Sequence, residues 1–230
     1  MPHPDDAEFG CAGTVARWVR EGQSVVYIVL TSGEKGSGDR GITPEGLGRI
    51  RRQEQRAAAK VLGVKEVVFL GYPDQELEDT AQLRRDIVRQ LRLYRPATVV
   101  TIDPYRRYIW HRDHRIAGQA VLDAVYPYAR DHLAYPDLLA EGLEPHKVKE
   151  VYCSASENIN LCSDISETFD LKIAALSCHK SQVGDRMPQI KEWLRQRAEE
   201  AAKGESFKLA ESFHRIELDM IGPFRKQDKA

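Results

Sequence analysis

Two short polar clusters could do chemistry: HPDDAE at residues 3–8 and HRDH at residues 111–114. In the first, His3, Asp5, Asp6 and Glu8 crowd against the start of an apolar, helix-like run. Aspartate before a helix commonly caps free N–H groups and suits the positive end of the helix dipole. One aspartate meets that need. A second beside it, with His3 three residues before Asp6, exceeds it, so helix start and metal site both stay open for this stretch. In the second cluster, His111 and His114 can face the same way on a helical turn, and neutral imidazole is a common metal ligand. The surrounding YRRYIWHRDHR could equally grip phosphate as a basic patch. Taken together, two histidines and one carboxylate make a three-ligand site with a fourth position for water. That is the arrangement of catalytic zinc, and it points to hydrolysis.

The elements that must position these clusters follow from the apolar pattern. SVVYIVL (24–30), EVVFLG (66–71) and ATVVTID (97–103) are β-branched and almost continuously apolar, the mark of strands covered on both faces. Helix-like stretches lie at 7–21, 45–62 and 80–94, each followed by Gly or Pro. Such alternation predicts an α/β fold: a Rossmann-like open, mostly parallel sheet with helices on both faces. Ligands in such sheets gather at the carboxyl ends of the strands. The loops there are TSGEKGSGDRG (31–41), YPDQELED (72–79) and PYRRYIWHRDHR (104–115), which carry nearly all the unusual polar residues. Further on, KVKEVYCSAS (147–156) reads as a strand, SDIS (163–166) as a short edge strand, and 167–182 and 187–203 as helices. The whole of 1–230 reads as a single domain, with 224–230 a solvated tail.

HPDDxE near the start, RxxE from Arg51 to Glu54, YPD at 72–74, HxDH at 111–114 and DIS…K…AL…HKSQ over 164–182 together resemble the LmbE/PIG-L family of zinc-dependent N-deacetylases. The resemblance spans about residues 2–182. It implies His3, Asp6 and His114 as ligands of zinc or another first-row divalent metal, with Asp5 as general base. A zinc ion brings a water's pKa near 7, where an adjacent carboxylate can take its proton. His111, protonated and held by Asp113, would donate to the oxyanion of the tetrahedral intermediate. Arg51 and Asp74 match positions that grip the hydroxyls of an N-acetylglucosamine-type sugar. The implied reaction removes an acetyl group from the amine of such a sugar or conjugate, and the family's habit of assembling implies a homo-oligomer. The family also carries an apolar strand directly before HPDD, where this chain has only Met1 and Pro2. The first strand is therefore expected to be missing or truncated, with a start further upstream or an impaired activity as its readings. His3 would then hang on a terminus free to fray.

Composition narrows the alternatives. Lys and Arg number 34 against 35 Asp and Glu, a net charge of -1, which gives no field to attract nucleic acid or an anionic membrane. No run approaches the roughly 18 apolar residues of a membrane helix, and no secretory leader is visible, so the chain reads as cytoplasmic. The four cysteines include no CxxC pair and read as reduced, mostly buried apolar residues. GEKGSGDRG lacks the context of a phosphate cradle and reads as a rim loop. His179 reads as a packed, hydrogen-bonded histidine, and Glu8 as a support that bonds neighbouring loop groups. Tyr108 and Trp110 could stack on a sugar or simply pack. The rival to a hydrolase is a sugar- or phosphate-conjugate-binding protein that keeps the scaffold without turnover.

Overall fold

The structure, a computed structural model, describes residues 1–108 and 111–218. Trp110 and the expected tail at 224–230 lie outside the described residues. Along the chain run α1 (Asp6–Gly10), α2 (Ala12–Arg20), β1 (Val26–Thr31), α3 (Pro44–Leu62), β2 (Glu66–Tyr72), α4 (Ala81–Tyr94), β3 (Thr98–Ile102) and α5 (Arg112–Asp123). They are followed by α6 (Pro136–Ala140), β4 (Glu150–Ser154), β5 (Leu161–Asp164), α7 (Phe169–Leu176), α8 (Lys180–Val183), α9 (Met187–Ala201) and β6 (Ala210–Glu217). Local chemistry sets several of these boundaries. The hydroxyls of Thr43 and Thr80 accept from Gly46 N–H and Leu83 N–H to open α3 and α4, Pro44 fills the first position of α3, and Gly63, at φ 76°, closes it. The expected helix at 7–21 is two helices, because Cys11 (φ −148°) breaks it; that at 167–182 divides into α7 and α8.

The fold is α/β and open. β1 and β2 pair in parallel, with Val26 opposite Glu66, and form a two-stranded sheet; the other strands run in the order β3-β4-β6-β5. Within the second sheet β3 and β4 are parallel, but β6 runs antiparallel to both β4 and β5, so that sheet is mixed rather than mostly parallel. Of three apolar clusters among the described residues, two lie beneath the helices that carry the N-terminal turn and the second histidine cluster. One joins Leu83, Ile87 and Val88 of α4 to Ala117 and Val121 of α5 and Val151 of β4. The other joins Cys11, Val15 and Ala16 to Tyr27, Ala58, Leu62, Ala175 and Phe213.

The family's first strand was expected to be missing or truncated just before HPDD. Met1 and Pro2 take up strand-like bonds to β1: Leu30 N–H donates to Met1 O (3.0 Å), Thr31 N–H to Pro2 O (2.9 Å), and the Met1 amine to Ile28 O (2.7 Å). His3 is consequently tied down, not frayed, and is 7% exposed.

A buried ion pair braces the start of α2 from the far end of the chain. Glu211 on β6 accepts from Gly13 N–H (3.0 Å), Thr14 N–H (2.8 Å) and Thr14 Oγ1 (2.6 Å), and pairs with Lys172 Nζ at 2.7 Å. Lys172 also donates to Phe9 O at 2.7 Å, fastening the end of α1. Removing one partner of such a pair leaves a buried charge and several donors unanswered. Glu211→Ala is therefore expected to lower unfolding stability by about 3–5 kcal/mol, read from the midpoint of a urea transition. A midpoint within error of the parent would show that the pair does not brace the helix.

Candidate metal centre

The opening stretch does not cap a helix. Asp5 occupies the position before α1 with φ 90°, but its side chain makes no capping bond. The Asp6 carboxylate turns instead to two imidazoles: Oδ2 lies 3.1 Å from His3 Nδ1 and Oδ1 lies 3.1 Å from His114 Nε2. The second histidine arrives on α5, which begins at the carboxyl end of β3. His111 is the residue before that helix and its Nδ1 accepts from Asp113 N–H (3.2 Å), which leaves His114 one turn along on the same side. The rings of His3, His111 and His114 sit together, with centroids 4.7 Å, 5.3 Å and 5.4 Å apart.

The other face of His3 meets carboxylates. Its Nε2 lies 3.2 Å from Asp113 Oδ2 and 3.0 Å from Asp74 Oδ1. One N–H cannot serve both; Asp113 has the hydrogen bond, and buried Asp74 Oδ1 is left without a donor. Asp113 is fixed in turn by the backbone N–H groups of Gln75 (2.6 Å) and Leu77 (3.3 Å). Two clusters of metal-capable donors thus share His3: one with His111 and His114, one with Asp74 and Asp113. A ligating histidine ordinarily gives one ring nitrogen to the metal and the other to a carboxylate. Nδ1, beside Asp6, suits the first role, and Nε2, against Asp113, the second.

Charge in the site follows from these contacts. Burial disfavours a proton on His3, but its hydrogen bonds to Asp113 and Asp6 and the nearby Asp74 carboxylate outweigh it and raise the pKa to about 11. Burial likewise opposes ionisation of Asp6, yet His114 and His3 hold its carboxyl well below the usual range. Asp5 goes the other way: burial and the neighbouring Asp6 push it up to about 7, against the pull of Arg51 3.4 Å away. His111 is lowered, first by burial and then by His3, which works against the protonated form expected of it; with Nδ1 already accepting, Nε2 is the donor of the neutral ring.

A divalent ion fits these residues. Buried Asp74 and Asp113 and half-buried Asp6 converge on one imidazole and leave Asp74 Oδ1 unanswered, a concentration of negative charge that favours a cation. The mixed imidazole and carboxylate donors, His3, Asp6 and His114, are of the type that zinc takes at about 2.0–2.2 Å, with one position left open.

One expected contact changes. The Asp113 carboxylate orients His3, not His111, because two backbone N–H groups and Nε2 of His3 draw it inward. Arg51 is 4% exposed, its guanidinium donating to Gly33 O (2.8 Å) and Pro4 O (2.7 Å), which fastens the loop after β1 to the HPDD turn, while its Nε has no hydrogen-bond partner among the described residues. Gly33 (φ 61°) must be glycine there, since a Cβ would stand 2.3 Å from Arg51 Nη1. Asp74 is 2% exposed and accepts from Lys35 N–H (2.9 Å), which ties the same loop to the one after β2. Tyr105 and Tyr108 are exposed on the loop after β3. His179 is buried and bonded as expected, to Glu8 at 3.1 Å, and Glu8 bonds Gln55 and His179 rather than loop groups. Gln55 escaped sequence reasoning, although its place four residues after Arg51 put it on the same face of α3.

Comparison with known proteins gives concordant results. The family model for GlcNAc-PI de-N-acetylase (PIG-L) matches residues 1–125. A diacetylchitobiose deacetylase of Thermococcus kodakarensis is 36% identical over 181 residues, covering 79% of this chain and 67% of that protein. A probable N-acetyl-alpha-D-glucosaminyl L-malate deacetylase 2 of Bacillus anthracis is 29% identical over 83% of each chain. Among solved structures, N,N'-diacetylchitobiose deacetylase from Pyrococcus horikoshii, complexed with its inhibitor MPG, superposes with a TM-score of 0.89 at 30% identity, covering 97% of this chain and 85% of that one.

Loss of a carboxylate behind a ligating histidine typically weakens metal affinity about 10–100-fold. Asp113→Ala is expected to show that loss for zinc in a chelator-competition titration, whereas His114→Ala should abolish stoichiometric binding. Parent-like affinity in both variants would remove these residues from any metal site.

Proposed function

Because this chain belongs to the PIG-L/LmbE family of GlcNAc-type N-deacetylases, we propose that it hydrolyses the N-acetyl group of an N-acetylglucosamine-type sugar or sugar conjugate in a metal-dependent reaction, releasing acetate and the free amine. The observation that carries the proposal is the Asp6 carboxylate set between His3 and His114 at 3.1 Å from each, with Asp5 adjacent and free of any capping duty. A zinc or other first-row divalent ion held by His3, Asp6 and His114 would supply Lewis acidity for the acetamide carbonyl and acidify the attacking water.

The chain's own residues then divide the proton work. The Asp5 carboxylate takes a proton from the attacking water as its oxygen joins the acetyl carbon. His111, neutral and donating through Nε2, faces the oxygen on which negative charge develops. As the C–N bond breaks, Asp5 returns its proton to the departing nitrogen, so that water is divided between acetate and amine. Arg51 and Asp113 hold the carboxylate and the ligand in place, at Asp5 and His3 respectively.

Acetate release from a panel of N-acetylglucosamine conjugates, diacetylchitobiose included, tests the proposal directly. Release that stops with a chelator and returns with zinc is expected; no acetate from any member of the panel, with zinc supplied, would overturn it. Asp5→Asn should keep the metal and lose about 10²–10⁴ of kcat, the usual share of a general base. Equal metal loss in Asp5→Asn would assign Asp5 as a ligand instead. Since the base works ionised, activity should fall as pH drops through its pKa. That limb lies at or below about 7, because a cation beside Asp6 favours the Asp5 carboxylate over its acid. A kcat/KM that rises as pH is lowered from 7 to 5 would contradict this role.

A further inference from the structure

Behind the HPDD turn lies a chain of buried polar groups for which the proposed reaction has no direct use. Gln55, on α3, is 1% exposed and stands between two segments: its Oε1 accepts from Asp5 N–H at 3.0 Å, and its Nε2 donates to both oxygens of Glu8 at 3.0 and 3.1 Å. Glu8 and His179 are both fully buried, and His179 Nε2 lies 3.1 Å from Glu8 Oε2. Both Glu8 oxygens accept from Nε2, so Glu8 fixes which way round the Gln55 amide sits: NH2 toward Glu8, carbonyl toward Asp5. Lys172 Nζ, on Phe9 O at 2.7 Å, pins the same short helix from its other end.

We infer that Gln55 is a positioning residue for Asp5, holding through its amide the left-handed backbone that aims the Asp5 carboxylate at the reacting water. The inference rests on the proposed deacetylation and adds to it. Asp5 has φ 90°, a conformation that a side chain other than glycine keeps only where its surroundings impose it. Asp5 has no capping bond of its own to impose it. What does so is α3: Arg51 donates to Pro4 O, one residue before, and Gln55 accepts from the Asp5 N–H itself. The two are four residues apart and so emerge from one face of the helix. A base displaced by a fraction of an ångström loses rate without losing substrate.

Gln55→Met keeps the volume and removes the hydrogen bonds to Asp5 and to Glu8. It is expected to lower kcat about 10–100-fold with KM and bound zinc unchanged. The same substitution in an Asp5→Asn background should change the residual rate less than twofold, because the group it positions is gone. A merely structural role would instead multiply through both backgrounds. Gln55→Asn, polar but one methylene too short to span Asp5 and Glu8, carries the same expectation where the methionine variant does not fold. Parent-like kcat in either folded variant, or an undiminished effect in the Asp5→Asn background, overturns the inference. A parent protein that releases no acetate overturns the deacetylase proposal, a separate result read before any variant is made.

Discussion

One carboxylate joins the front of the chain to its middle. Asp6 lies between an imidazole three residues before it and another more than a hundred residues later, 3.1 Å from each. That bridge requires the start of α1 and the start of α5 to open onto one point. The rest of the architecture can be understood as what keeps them there. β1 fastens Met1 and Pro2, and so His3, through strand-like bonds. β3 delivers the chain to His111, whose Nδ1 begins α5 and sets His114 on its inner side. An error of an ångström in either approach would separate the donors, and catalytic constellations tolerate little more than half of that.

Holding polar groups this close in a buried place is expensive unless they are answered, and the molecule answers most of them in layers, with Asp74 Oδ1 an exception. Behind the imidazoles stand Asp113 and Asp74; behind Asp113 stand the backbone N–H groups of Gln75 and Leu77. The two rim loops are joined in the same manner, with Lys35 N–H on Asp74 and Asp74 N–H on Glu34 at 2.8 Å. Far from the site, Lys172 and Glu211 brace α1 and α2. The DIS…K…HKSQ stretch, which in sequence is only a resemblance, has a physical reason in this arrangement. Lys172 and His179 both reach back to α1, one at Phe9 O and the other at Glu8.

The sequence made legible what is periodic or chemically crowded. Continuous β-branched runs marked β1, β2 and β3, and Gly and Pro marked where helices stop. The two histidine clusters were visible as types and spacings before any geometry. β6 was not legible, because AESFHRIE lacks a clean alternation: Glu211 is there to answer Lys172, and a central strand that carries a buried charge does not look apolar. The burial of Arg51, Asp74 and Asp113 was not legible for a related reason. Charged side chains are usually exposed, and nothing in the local pattern marks these three as exceptions. Their burial comes from loop-to-loop hydrogen bonds that no local pattern announces.

His3 shows how the same contacts can prepare a site and define its occupant. A histidine surrounded by Asp6, Asp74 and Asp113 keeps its proton far above neutral pH, to about 11, despite its burial. The proton answers an excess of negative charge that the fold has assembled. A divalent cation on Nδ1 would answer the same excess more completely, since it would carry twice the charge and also attract Asp6 and His114. Proton and metal would then compete for one place, since ligation requires the imidazole to give its proton up. Asp113 would let that exchange take place with the ring held still. It keeps its hold on Nε2 whichever cation sits on the other side of the ring, so His3 stays aimed at the bridge formed by Asp6.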